Sequence, residues 1–88
     1  MLYPIFTYND GTEVTASKPD ANGSVLLYVE KFDIQKDEFI NATIMIPNAS
    51  IVSSSGYDKK ELEQMLSEYS QIQEDIIGYV RDKERRSA

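Results

Sequence analysis

The chain has 88 residues, with fifteen Asp and Glu against nine Lys and Arg, a net charge of −6 at pH 7. Histidine, cysteine and tryptophan are absent, which excludes a disulfide, a thiol nucleophile, an imidazole general base and a zinc site built on imidazole or thiolate. The acidic field repels phosphates, so direct nucleic-acid binding is not expected, and this length makes one domain, 1–88, with one sheet-plus-helix layer.

Hydrophobic period divides the chain in two. Up to about residue 52 apolar residues recur at every second position, and from Tyr57 onward at every third or fourth. Residues 2–8 and 12–17 flank Asp10-Gly11, a strong hairpin signal in which both turn positions are expected at positive φ. Pro4 has no amide hydrogen, so the first strand belongs at a sheet edge. Asn22-Gly23 repeats the turn signal before residues 24–32, a strand rich in β-branched and aromatic side chains. Residues 38–46 alternate, with Ile40, Ala42, Ile44 and Ile46 on one face and Phe39, Asn41, Thr43 and Met45 on the other. Ile51-Val52 reads as a short continuation, and Ser53 to Gly56 as a flexible lead into a helix.

The helix start is marked three ways. Asp58 is an N-cap, Glu61 completes a capping box, and Tyr57 with Leu62 forms a hydrophobic staple. Leu62, Met65, Tyr69, Ile72, Ile76 and Tyr79 follow at spacings of 3, 4, 3, 4 and 3, which predicts a helix over 57–84 and a basic tail over 85–88. Gly78 interrupts this run at about 1 kcal/mol relative to alanine. Either the helix frays there, or a small residue admits a close neighbour. The expected fold is α+β: a four-stranded, mainly antiparallel β-meander (1–52) followed by one long C-terminal helix packed on one face.

No constellation carries catalytic chemistry. Asp20 to Ser24 falls short of a calcium loop, because the glycine comes at the fourth position and Lys31 stands where the glutamate belongs. Asp33, Asp37 and Glu38 read as a solvated turn rather than a paired acid and base. Ser53, Ser54 and Ser55 have only Lys59 or Lys60 as a base. No enzyme activity, metal or cofactor is expected.

A helix of ~40 Å over strands of ~30 Å leaves its far end uncovered. Tyr69, Ile72, Ile76, Ile77, Tyr79 and Val80 are therefore the candidate interaction residues, with Ile76, Ile77, Tyr79 and Val80 expected as an exposed patch. The expected function is a small acidic, non-enzymatic protein-interaction module, associating with itself as a homodimer or with another protein through this helix. The alternative is an acidic, antitoxin-like inhibitor that blocks a basic nucleic-acid-binding site on another protein. The sequence shows neither a signal-peptide pattern nor a membrane-spanning apolar run, so a cytoplasmic protein without membrane partners is the expectation.

Overall fold

The computed structural model describes residues 2–87. Strands β1 (Tyr3–Thr7), β2 (Glu13–Ala16), β3 (Val25–Asp33), β4 (Glu38–Ile46) and β5 (Ser50–Ser55) form one antiparallel sheet in the order β1-β2-β3-β4-β5, and helix α1 (Lys59–Ser87) follows. The architecture is the α+β meander with a C-terminal helix that alternation and period predict, but it has five strands rather than four.

The fifth strand is a correction with a clear cause. Serines 53–55 have weak strand propensity, yet they pair with Asn41 to Thr43 because β4 offers a row of amides and carbonyls that would otherwise lack partners. Their side chains stay exposed. Tertiary pairing overrides local preference here.

The turns also differ in type from the expectation. Gly11 has φ +90°, while Asp10 is not at positive φ. The Gly11 amide donates to the Tyr8 carbonyl at 3.0 Å and the Tyr8 amide to the Thr12 carbonyl at 2.8 Å. This is a three-residue loop with glycine at the left-handed position, and Asp20 to Ser24 repeats it around Gly23. The Asp20 carboxylate accepts from the Asn22 and Ser24 amides, so that segment is a hydrogen-bonded turn.

Alternation sorts the faces as read. Val14, Ala16, Val25, Leu27, Val29, Ala42, Ile44 and Ile46 are buried on the helix side, with Ile40 beside them at the start of β4. Phe39, Asn41 and Met45 point the other way and are exposed. Pro4 stands on edge strand β1, next to a bulge between Pro4 and Phe6.

The helix begins as its signals specify. The Glu61 amide donates to Asp58 Oδ1 at 2.8 Å and the Asp58 amide to Glu61 Oε1 at 3.1 Å, a complete capping box. It does not stop near Glu84 but continues to Ser87, so Arg85 and Arg86 are helical rather than a tail, and residue 88 lies outside the described residues. At ~1.5 Å per residue its 29 residues span ~43 Å, which matches the molecule's 42 Å long axis.

Asp58→Ala removes the cap and is expected to lower stability by about 0.5–2 kcal/mol. Thermal melts of variant and parent that coincide would show that the cap contributes nothing.

Candidate functional site

The helix crosses the sheet from corner to corner. Gly56, just before it, lies against Ile40 at the start of β4, and near its other end the Tyr3 hydroxyl of β1 donates to Glu84 Oε1 at 2.8 Å. A sheet ~30 Å long and ~19 Å wide has a diagonal of ~35 Å, so a diagonal helix finds cover that an aligned one would not. This shortens the overhang from ~13 Å to ~8 Å and brings Ile76, Ile77 and Val80 under cover. Tyr69, Ile76, Ile77 and Val80 are buried in the chain's own core at 2%, 4%, 8% and 0% exposure, and Ile72 is half-buried. Tyr79 alone of the six candidates stands out, at 42%.

A second reason lies in the helix period. A seam of alternating threes and fours repeats every 3.5 residues, whereas a straight helix turns every 3.6 and drifts ~20° per heptad away from such a seam. By Tyr79 the drift has carried the seam off the sheet, and Val80 takes its place in the core. The exposed patch of Ile76, Ile77, Tyr79 and Val80 is thus not formed.

Two features that sequence reasoning did not bring together appear instead. The first is a cleft of about 190 Å³ between the β1–β2 turn, the end of β3 and the first turns of α1. Tyr8, Tyr57 and Tyr69 line it, with Asp10, Lys31, Glu61 and Glu68. Tyr8 donates to Glu68 at 2.9 Å and its hydroxyl lies 3.1 Å from that of Tyr69. Lys31 pairs with Asp10 at 3.5 Å. The Tyr57 hydroxyl is buried and has no hydrogen-bond partner among the described residues.

The cleft holds its phenols neutral. Burial first, then the Glu61 and Asp10 charges, push Tyr57 up to about 12. Burial first, then the Tyr8 hydroxyl and the Glu68 charge, raise Tyr69. Burial and Glu68 raise Tyr8 against an opposing hydrogen bond from Tyr69. Hydrogen bonds from Thr12, and then Lys31, hold Asp10 below its usual range. At neutral pH these groups donate and accept hydrogen bonds, and none is a ready base or nucleophile.

The second feature is the sheet face that the helix leaves open. Register places Thr7, Glu13, Glu30, Asn41 and Ser55 in one exposed row across all five strands. Phe32 and Phe39 pair next to that row with ring centroids 5.0 Å apart, edge to face. They are 43% and 73% exposed, and Ile34 in the adjoining turn is 84% exposed. Leu26 and Met45 pair further along the same face. Alternation in β4 marks Phe39 and Met45 as outward, but the row needs the register, which no sequence signal supplies. Among the described residues no helix is long and apolar enough to cross a membrane. Comparison with family models, with curated proteins and with solved structures gives no significant match.

Two measurements test the cleft. Tyr57→Phe deletes an unpartnered hydroxyl and should be neutral or stabilising, whereas Tyr69→Phe should cost about 0.5–1.5 kcal/mol through its bond to Tyr8. Equal losses from chemical denaturation of the two would contradict the geometry. The raised phenols also set an alkaline limit. Above the ordinary phenol value of 10 the unfolded chain has released protons that the folded chain keeps, so stability is complete below pH 10 and falls as pH rises toward 12. Denaturant midpoints measured from pH 9 to 12 should fall over that window, less steeply in Tyr57→Phe.

Proposed function

We propose that this protein is a small, non-enzymatic protein-interaction module whose binding face is the open side of its sheet. The observation that carries the reading is the exposed aromatic pair Phe32–Phe39 on a sheet face with no second layer. Antiparallel sheets do turn one face to water, but that face then reads polar. Here Phe32, Phe39, Leu26 and Met45 share it with half-buried Tyr28.

Charge indicates the partner's chemistry. Glu13 and Glu30 stand directly opposite each other on neighbouring strands, an arrangement of like charges that destabilises a sheet. The β2–β5 positions facing that side carry no Lys or Arg. A partner presenting Arg or Lys beside apolar side chains would relieve the repulsion and stack its cations on the aromatic rings. A second copy laid face to face would bring the same carboxylates together. The inhibitor reading, with carboxylates standing in for phosphates, has less support, since the helix acids lie on the other side of the sheet from Glu13 and Glu30.

Immobilised parent and variants, exposed to extract of the native host, test this reading. Phe39→Asp should lose a specific partner by about tenfold or more with circular dichroism unchanged, and Tyr79→Asp on the helix should keep it. Equal retention of that partner by Phe39→Asp would reject the open face as the binding surface.

A further inference from the structure

Gly78 stands in the interior of α1, and neither reason for it within the chain holds. The helix does not end there, since it continues to Ser87. Nor does the glycine admit a close neighbour, because no other part of the chain comes within 4 Å of where a Cβ would stand. A helix-interior glycine is destabilising relative to alanine. At 100° per residue it lies opposite the face that buries Tyr69, Ile76 and Val80, exposed at the rim of an open groove that Glu74, Ile77 and Arg81 form with residues 22–24 and Pro47. Approach by another molecule remains as a reason for the small residue.

The charges around Gly78 say which molecule. Residues 57–76 carry six acids against two lysines, and residues 77–88 carry four basic residues against two acids. The sign of the helix surface therefore reverses between Ile76 and Ile77, beside the glycine. Glu74 lies one turn before Gly78 and Arg81 one turn after it. Both are exposed, and neither forms an ion pair among the described residues.

We infer that α1 pairs with α1 of a second copy, antiparallel about a two-fold axis, with the helices crossing at Gly78. That crossing sets Glu74 against Arg81 of the partner subunit and, on its other side, Asp75 against Asp82 of the partner subunit, a carboxylate that Arg86 of its own helix already neutralises at 3.3 Å; the symmetry makes each contact twice. Gln71 likewise meets Arg85 of the partner subunit, and the acidic half of each helix runs along the basic end of the other. A parallel crossing would oppose like charges. The missing side chain lets the axes approach to ~8 Å, the short end of helix packing distances. Tyr79, 42% exposed with the Lys83 ammonium 5.4 Å from its ring centre, borders the crossing and adds apolar area.

Sedimentation velocity of the full chain tests this. The parent should dimerise in low salt, with a dissociation constant in the ~10 µM range for so polar a contact. Raising salt should weaken it, because exposed charges beyond ~10 Å are screened at 0.1 M. Gly78→Leu places its side chain in space that is open in the monomer, so helical circular dichroism should persist while the dimer weakens by about tenfold. Arg81→Glu should weaken it similarly, and Glu74→Arg combined with Arg81→Glu should restore it. A parent that stays monomeric at high micromolar concentration in low salt would overturn the inference. So would a dimer insensitive to Gly78→Leu and Arg81→Glu, or one abolished by Phe39→Asp, which would place self-association on the sheet.

Discussion

One helix is all the second layer this sheet has, and its diagonal course decides which residues become interior. The core forms where Tyr69, Ile76, Ile77 and Val80 meet the inward rows of β2, β3 and β4. Burial of side chains of this size contributes roughly 1.5–3 kcal/mol each, the largest favourable contribution open to a chain with neither disulfide nor metal-ligating histidine or cysteine. The tyrosine cleft, the bare sheet face and the free back of the helix all follow from where that contact lies.

Local signals were legible wherever a short stretch of chain settles the outcome. Asp58 and Glu61 close their box within one turn, and Phe39 to Ile46 alternate without interruption, so both could be read from the residues. What could not be read depends on partners distant in sequence. The serines of β5 become a strand because β4 has a free edge, and Tyr3 reaches Glu84 across nearly the whole chain. The expected patch at 76–80 does not form, because comparing the two lengths assumes that the helix lies along the strands. A crossing angle is a property of packed surfaces, and no spacing of residues encodes it directly.

Tyrosine shows the same division. Tyr69 lies in the apolar stripe, and that position is what buries it. Its hydroxyl then needs a partner inside the protein, which Tyr8 supplies from a turn 61 residues away in sequence. Tyr57 has the same apolar fit without such a partner, and its hydroxyl is left with none. The stripe specifies that a ring is buried; the fold specifies whether its oxygen is satisfied.

The distribution of charge links the two surfaces that the core leaves over. Four of the nine basic residues gather in the last turns of α1, where they complement the helix dipole, and none stands on the outward positions of β2 to β5. The net charge of −6 opposes association by any face of uniform sign. The back of the helix is not uniform, since its two halves differ in sign, and an antiparallel crossing turns the repulsion of two acidic chains into local attraction. The outward strand positions of the open sheet face carry Glu13 and Glu30 and no cation, with Lys18 at the rim beside Leu26 and Met45, so that face is better matched to a foreign, basic surface than to its own copy. Because the helix lies between the sheet and the crossing, a pair joined at Gly78 would turn its two open faces outward. Self-association and partner binding would then occupy opposite sides of each molecule and need not compete.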